Sequence, residues 1–433
     1  MKKIEVGILG LGTVGGGVYR LIEKHGDLIR KKTGVEIVVR KVADLRDDLK
    51  ASLGIPDKVF TRSAQEVLAD PAIDLVVELI GGTTTAKELM IEAFRRKKHV
   101  VTANKALLAK HGKEIFGEAL ENRVELGFEA SVGGGIPIIK TVREALVGNR
   151  IEKIVGILNG TTNFILTKMT KEGMGFDKAL KIAQELGFAE TNPSLDISGE
   201  DARHKITILS SLSFNTQVDI SEVYVEGIEK VDRKDIQYAG ELGFVVKLLA
   251  IAERVGGGVL VKVHPALVGK DNPLAAISWE DNAIVVCADF LGKSMYSGKG
   301  AGSNPTASAV VADITDIAIR VKNGMEYNRN AYGFFDDLKC LKFEQTTSRY
   351  YFRFHVLDRP GILSRISGIL GEHGISIASV IQKESEEERE HVPLVMLTHT
   401  ALEADVRKAL ARIDGLSEVK GQSRIIRVVG DSL

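Results

Sequence analysis

The sequence predicts an α/β protein: a doubly wound parallel sheet first, an α+β segment after it, and a small ferredoxin-like unit at the end. Three observations carry this expectation. A buried strand runs through a glycine turn into a helix near the start, strands and helices alternate as far as Phe128, and the stretch beyond Tyr350 follows the order β-α-β-β-α-β.

Ile4 to Leu9 is a short buried strand that enters Gly10-Leu11-Gly12-Thr13-Val14-Gly15 and then a helix from Val14 to about Ile29. This is the strand, turn and helix order of a dinucleotide-binding fingerprint. The first glycine allows the tight turn, the second lets backbone approach a pyrophosphate, and the third lets helix and strand pack closely. The helix N-terminus then faces the phosphates. A plain Gly-rich turn has the same letters, but not the flanking strand and helix. Strands follow at Glu36 to Ala43, Asp74 to Ile80, His99 to Ala103 and Val124 to Phe128, with helices at Lys87 to Arg96 and Gly112 to Glu121 between them. Ligands of such a sheet sit beyond the carboxyl ends of its strands. Three sequences are placed there: the glycine turn, Gly81-Gly82-Thr83-Thr84-Thr85, and Thr102-Ala103-Asn104-Lys105. The second strand ends in Ala43-Asp44-Leu45-Arg46, where Asp44 suits a ribose hydroxyl of NAD and Arg40 or Arg46 the 2′-phosphate of NADP. The two basic residues against one acid favour NADP.

From Ile151 the pattern changes to a strand as far as Leu158, helices at Asn163 to Lys171 and Phe176 to Leu186, and a helix starting near Ser198. At about 100° per residue that last helix buries Ala202, Ile206, Ile208, Leu209 and Leu212, with Glu200, Arg203, His204 and Ser211 facing away. Asp201 and Lys205 fall inside the apolar arc, four residues apart on one face. A solvated ion pair is the ordinary meaning of that spacing. On a buried face the same pair costs several kcal/mol unless each member has partners, so a polar pocket is expected there. A second glycine-rich loop, Gly298 to Thr306, leads into a helix from Ser308 to about Val321 that could return the chain to the first domain. Asn323 to Thr347 reads as a connector. Tyr350 to Leu357, Ile375 to Gln382, Pro393 to Thr398 and Ser423 to Val429 are strands, Ile362 to His373 and Glu403 to Ile413 helices, with a charged hairpin at Glu384 to Glu390.

With 433 residues the chain exceeds one core, and two or three domains are expected. Basic and acidic residues balance at 58 each, so no charge excess argues for nucleic acid or an anionic membrane. Cys287 and Cys340 are the only cysteines, which excludes a disulfide framework and a cysteine zinc site and suits a reducing, cytoplasmic setting. Glu5 interrupts the apolar run after Met1-Lys2-Lys3, and Lys247 and Glu253 break the longest candidate span, so a soluble protein is expected.

Together these features offer a nicotinamide cofactor site, an Asp and a Lys on a buried face, and a second lysine at a strand end. Reduction of a carbonyl leaves an alkoxide that must be protonated, and the reverse needs a base. A lysine serves both if burial and a neighbouring cation lower its pKa from about 10.4, as Lys105 and Lys205 would for each other in one pocket.

Val101-Thr102-Ala103-Asn104-Lys105, Glu129 to Pro137, Gly156 to Asn163 and Glu190 to Lys205 together resemble the homoserine dehydrogenase family over roughly residues 2 to 321. The tail from about 350 resembles an ACT domain, and the likeness is to the monofunctional form without a fused aspartate kinase. The resemblance implies a Rossmann-type NAD(P)-binding domain over 1–135, completed by about 300–322. It further implies a substrate-binding and dimerisation domain over 136–322, a linker over 323–347 and an ACT regulatory domain over 348–433. It implies reversible NAD(P)H-dependent reduction of L-aspartate 4-semialdehyde to L-homoserine, toward threonine, methionine and isoleucine. Lys205 would be the proton donor and Lys105 would position the substrate oxygen, while Glu190 and Asp201, with Asp196, Gly160 and Thr161, would bind substrate. The cofactor would meet Gly10, Gly12, Thr13, Val14, Gly15, Arg46, Gly81, Gly82, Lys105, Gly187, Glu190 and Gly302. Carbonyls of Glu129, Val132, Gly134 and Ile136 match a sodium site, with Gly133 where alanine is common. The turn with Asp358, Gly361 and Ile362 would bind an amino-acid effector, threonine first, in a homodimer or homotetramer whose inhibition is lost, and activity kept, on deletion from Ser348. Another lysine-acid NAD(P) oxidoreductase of amino-acid or sugar carbonyls, or a regulatory protein that has lost catalysis, remains the alternative.

Overall fold

The computed structural model describes residues 3–324, 334–382 and 391–430. The chain forms two compact units: Met1–Glu152 with His204–Ser221 and Asn282–Leu338, and Lys153–Arg203 with Glu222–Asp281 and Lys339–Leu433.

The first unit begins with β1 (Lys3–Leu9), α1 (Thr13–Thr33), β2 (Glu36–Ala43), α2 (Asp47–Leu53), β3 (Phe60–Thr61) and α3 (Ala64–Ala69). It continues with β4 (Leu75–Glu78), α4 (Thr84–Arg95), β5 (His99–Thr102), α5 (Lys105–Asn122), β6 (Leu126–Gly127) and α6 (Ile138–Lys140). The six strands are parallel in the order β3-β2-β1-β4-β5-β6. That order reverses between β1 and β4, the place where open α/β sheets bind ligands. Strand β4 is buried along its whole length, as a parallel strand covered on both faces must be. Helix α5 starts at Lys105, earlier than the helix expected from Gly112, because Asn104 Oδ1 caps it by accepting the Leu107 N–H at 3.1 Å. Non-helical φ and ψ at His111 mark the break that periodicity took for the start. The strand expected over Val124 to Phe128 pairs only at Leu126–Gly127.

Next in the chain come β7 (Ile151–Ile157), α7 (Gly160–Glu172), α8 (Phe176–Glu185), α9 (Ser194–Ile197), α10 (Glu200–Ser213), β8 (Tyr224–Val225) and α11 (Arg233–Glu241). Then follow β9 (Phe244–Val255), β10 (Gly258–Gly269), α12 (Pro273–Ala276), β11 (Asp281–Ala288), β12 (Gly292–Lys299) and α13 (Ser303–Lys322). Helix α13 lies along α1 in the first unit. The Ser303 hydroxyl donates to the Thr13 carbonyl at 2.7 Å, Lys322 Nζ donates to that of Gly34 at 2.9 Å, and Val310 and Ile314 share a core with Val18 and Ile22. Each such buried side chain contributes about 1.5–3 kcal/mol.

Strands β8 to β12 were not expected. The β9–β10 hairpin is buried on both faces, so neither strand alternates, and an apolar run of that kind carries no period. Its turn is Gly256-Gly257, both at positive φ (53° and 85°), the conformation a tight hairpin needs.

The chain ends with β13 (Thr347–Leu357), α14 (Ile362–Glu372), β14 (Ile377–Gln382), β15 (His391–Thr398), β16 (Ala401–Leu402), α15 (Glu403–Asp414) and β17 (Arg424–Val428). The hairpin expected over Glu384 to Glu390 lies outside the described residues. Strands β17-β13-β15-β14 form the ferredoxin-like sheet, around a core of Tyr350, Phe352, Phe354, Ile366 and Leu370. This sheet is no appendage. Strand β17 pairs in parallel with β10, Ala266 opposite Arg427 and Leu267 opposite Val428, so one sheet of the second unit runs β7-β9-β10-β17-β13-β15-β14. Arg353 on β13 grips Asp235 of α11 with Nε at 2.6 Å and Nη2 at 3.0 Å, and the Tyr351 hydroxyl donates to the same carboxylate at 3.0 Å. Deletion from Ser348, expected to remove inhibition and keep activity, would take away those partners and the strand that pairs with β10. Among the described residues no helix is long and apolar enough to cross a membrane, and Cys287 and Cys340 form no disulfide.

Candidate active site

In the first unit three loops gather at the switch point of the sheet. Gly10 has φ 95°, and a Cβ there would lie 2.7 Å from the Leu79 carbonyl oxygen, so only glycine fits. Asp44 fastens this turn: Oδ2 accepts the Leu11 N–H at 2.6 Å and Oδ1 that of Arg46 at 2.9 Å. Gly12 caps α1 without a side-chain bond, Thr13, Val14 and Gly15 form its first turn, and no acid lies there. Such an end presents N–H groups to an anion. Arg40 is committed to Asp70 at 2.7 Å, while Arg46 is more than half exposed, 3.7 Å from Asp44.

The second loop is built by a residue that pattern alone did not single out. Glu78 ends β4 fully buried, Oε1 accepting the N–H groups of Ile80 at 3.0 Å and Gly81 at 3.3 Å, Oε2 the Thr102 hydroxyl at 2.6 Å. Burial raises its pKa against those donors. Asn104 Nδ2 donates to the Gly82 carbonyl at 2.7 Å, so Gly81-Gly82 and the start of α5 are tied together. Lys105, the first residue of α5, is half-buried, and Gly302 precedes α13 in the same unit. Helices α5 and α10 line one cavity of about 90 Å³, with Leu108 and Phe116 from the first and Thr207 and Ser211 from the second. Lys205 lies two residues before Thr207.

Helix α10 starts after Gly199 and is buried around most of its circumference. Asp201 and Lys205 are each 7% exposed, as the buried-face argument requires. His204 and Ser211, expected to face away, are buried as well, and Leu212 is half-buried. A single apolar arc was the wrong description of a helix packed on several sides. Ser211 shows how the polar side is accommodated: its hydroxyl donates to the Thr207 carbonyl at 2.7 Å and accepts the Val218 N–H at 3.2 Å.

In the second unit the acids are organised by Asn159. Its Nδ2 donates to Asp196 Oδ1 at 2.7 Å and Asp201 Oδ2 at 2.9 Å, while Oδ1 caps α7 by accepting the Thr162 N–H at 2.8 Å. One buried amide therefore fixes two carboxylates and a helix start. Gly160 opens α7 against the Glu280 carbonyl, where a Cβ would come within 2.6 Å, and the Thr161 hydroxyl donates to the Phe188 carbonyl at 2.6 Å. Glu190 and Gly187 stand exposed beyond α8, with Gln184 Nε2 donating to the Glu190 carbonyl at 3.2 Å.

The turn expected to hold sodium lies in the first unit. Among the described residues no N–H donates to the Val132 or Gly134 carbonyl; that of Glu129 accepts Val132 at 3.5 Å and that of Ile136 accepts Ile138 at 2.8 Å. Main-chain oxygens are the ligand type that a hard monovalent cation takes, although two of these four already accept an N–H group. The Glu129 carboxylate is not available to it, since it accepts the N–H groups of Ile139 and Lys140, each at 2.8 Å. Asp313 accepts the Glu129 N–H at 2.8 Å, and burial pushes its carboxyl up to about 7. Asp358, Gly361 and Ile362 form the β13–α14 turn, with Gly361 at φ 91° before the helix.

Comparison with known proteins identifies relatives over the whole length of the chain. Family models match at residues 10–129 (homoserine dehydrogenase, NAD binding domain), 137–315 (homoserine dehydrogenase) and 350–418 (ACT domain). A homoserine dehydrogenase of Pseudomonas aeruginosa is 43% identical over 433 residues, covering 99% of each chain. The crystal structure of a homoserine dehydrogenase from Thiobacillus denitrificans superposes with a TM-score of 0.94 at 43% identity, covering 99% of each chain. A hyperthermophilic archaeal homoserine dehydrogenase in complex with NADPH gives 0.63 at 31% identity, covering 75% of this chain and all of that one. With a nucleotide-binding sheet, a buried Asp and Lys on one helix and a C-terminal ACT domain, the chain belongs to the homoserine dehydrogenase family of nicotinamide-dependent oxidoreductases.

Proposed function

We propose that the chain interconverts L-aspartate 4-semialdehyde and L-homoserine through Lys205 as acid and base, in the branch that leads to threonine, methionine and isoleucine. The carrying observation is Asp201 and Lys205 one turn apart on a buried helix, with Asp201 and Asp196 both held by Asn159. When bound, the nicotinamide ring exchanges hydride with the substrate carbon. Lys205 gives its proton to the oxygen that becomes the hydroxyl and takes it back in the reverse direction, while Lys105 positions that oxygen. Glu190 and Asp201 receive the substrate ammonium through charge-assisted hydrogen bonds. Asp196 adds a further acid to this group, and Gly160 and Thr161 bound it. A direct test is Lys205→Ala, which should lower kcat by about a hundredfold or more with cofactor affinity nearly unchanged. Near-normal turnover would remove the assignment.

The cofactor meets Gly10, Gly12, Thr13, Val14, Gly15, Gly81, Gly82, Lys105, Gly187, Glu190 and Gly302, and Arg46 receives the 2′-phosphate of NADP. The engagement of Asp44 with two backbone N–H groups and of Arg40 with Asp70 supports that choice, because Arg46 is the side chain left beside the ribose position. Sodium bound by the carbonyls of Glu129, Val132, Gly134 and Ile136 would order the glycine turn. Threonine, bound near Asp358, Gly361 and Ile362 in a homodimer or homotetramer, is the proposed effector.

A further inference from the structure

The ferredoxin-like domain and the substrate acids are joined inside the second unit by a short run of polar contacts. At one end stands Arg427 on β17, 3% exposed. Its Nε and Nη2 donate to Glu403 at 3.1 and 2.7 Å, and its Nη1 donates to Glu226 Oε2 at 2.6 Å. The same oxygen accepts the Tyr224 hydroxyl at 2.9 Å, and the Glu226 N–H donates to the Val263 carbonyl at 2.8 Å. Glu226 is therefore held on both its backbone and its side chain.

The segment after Glu226 lies directly on the loop that carries Asp196. A Cβ on Gly227 would collide with the Ile197 carbonyl oxygen and come within 2.6 Å of Ser198 Cα. Only glycine allows so close an approach of two backbones. The Ile228 N–H then donates to the Ile197 carbonyl at 2.8 Å. Asp196 and Ile197 share the one-turn helix α9, and Asp196 is fixed by Asn159 Nδ2, which also holds Asp201. From Arg427 to the two carboxylates the path runs through the ion pair to Glu226, the backbone of Gly227 and Ile228, the hydrogen bond from Ile228 to Ile197, the backbone step from Ile197 to Asp196, and the Asn159 amide.

We propose that Glu226 is a positioning residue for Asp196 and Asp201, and that Arg427 of the ferredoxin-like domain holds it in register, so that the placement of that domain sets affinity for homoserine. Neither residue touches substrate in this scheme. The inference rests on the homoserine-binding role of the two acids given above, and its test includes a readout that does not.

Two measurements on the full chain decide it. In Glu226→Ala the KM for homoserine should rise roughly three- to thirtyfold, the range for positions that couple sites without touching ligand, with kcat and the cofactor KM within about twofold. Glu226→Gln, which keeps both side-chain hydrogen bonds and loses only the charge, should restore most of the affinity. Independently of turnover, amide hydrogen exchange across residues 194–199 should accelerate in Glu226→Ala. Arg407→Ala is the control. It removes a different member of the ion cluster, Nε to Glu403 at 3.0 Å, and should leave homoserine KM and that exchange unchanged. Unaltered exchange at 194–199 in folded Glu226→Ala overturns the proposal, as does an equal rise in the KM of homoserine and of cofactor. Should Glu226→Ala not fold, Glu226→Met takes its place, because it fills the space but offers no oxygen acceptor to Arg427 or Tyr224: a selective rise in homoserine KM with faster exchange supports the proposal, and no change in either overturns it. A wild-type chain that bound no homoserine, with exchange still accelerated in the variant, would count against the acids' role while leaving the coupling intact.

Discussion

Replacing Asn159 by Asp probes the acid cluster more sharply than removing either acid. The change keeps the side-chain shape and the cap of α7, since Asp accepts the Thr162 N–H as Asn does. It removes the Nδ2 donor that serves Asp196 at 2.7 Å and Asp201 at 2.9 Å and puts a third carboxylate in its place. Two hydrogen bonds to charged acceptors are lost, each contributing about 1.5–3 kcal/mol. Repulsion adds to this, because like charges about 4 Å apart interact by roughly 4 kcal/mol at an effective dielectric constant of about 20. Uptake of a proton relieves it, and the three carboxyls then titrate as a unit with one pKa raised. A raised folded-state pKa gives a contribution present at low pH and lost as pH rises through it, so the variant is least stable in alkaline solution. Asn159→Ala loses the same two bonds and about 1 kcal/mol more for the cap, but adds no charge. Thermal unfolding of the three proteins at about pH 5.5 and about pH 8.5 separates the terms. At the higher pH the expected order is wild type, then Ala, then Asp, and at the lower pH Asp should approach or pass Ala. An Asp variant as stable as wild type at both, or relatively weaker in acid, would refute the donor role of Asn159.

Arg46→Ala should raise KM for NADPH more than for NADH; steady-state kinetics with each cofactor checks this, and equal effects would exclude contact with the 2′-phosphate. Asp313, with its folded pKa raised to about 7, contributes stability that is complete below the unfolded value near 3.9 and lost as pH rises through about 7. Asp313→Asn keeps an acceptor for the Glu129 N–H and should flatten the decline in thermal stability between about pH 5 and about pH 8, by about 4 kcal/mol at most. Deleting residues from Ser348 should abolish any threonine response, but through loss of stability: Asp235 and Glu226 lose Arg353 and Arg427, and leaving the buried Asp235 without its partner alone costs about 3–5 kcal/mol. A truncated enzyme with full activity and an unchanged Tm would contradict the continuity of the sheet.

What was legible in the sequence and what was not divide along one physical line. The glycine turn, the first strands and the C-terminal unit could be read because their signals are local: a period, a turn residue, a helix start. The burial of Asp201 and Lys205 was local too, since helical spacing alone put them on an apolar arc. Glu78 and Asn159 were not singled out because nothing near them in the chain reveals their work. Glu78 joins Thr102, twenty-four residues on, and Asn159 joins Asp196 and Asp201 across thirty-seven and forty-two. Their roles exist only once the fold has brought the partners in. Strands β9 and β10 were missed for the converse reason, since complete burial erases the alternation by which a strand is recognised.

The outer edge of β10 is completed by three segments far apart in the chain. Lys339–Leu341 bonds beside Val259, Tyr224–Val225 lies opposite Lys262–Val263, and Arg427–Val428 lies opposite Ala266–Leu267. The last of these belongs to β17, the last strand among the described residues. On a ribosome adding about 5–20 residues per second, the roughly 160 residues between Gly269 and Val428 take on the order of 10–30 s to appear. Throughout that interval a strand whose residues are destined for the interior waits with part of its edge unpaired, and exposed edges of this kind template association between chains. Slower translation or higher expression would lengthen or multiply that exposure, so yield of soluble protein should depend on the synthesis rate and on holdase chaperones even where the finished enzyme is stable.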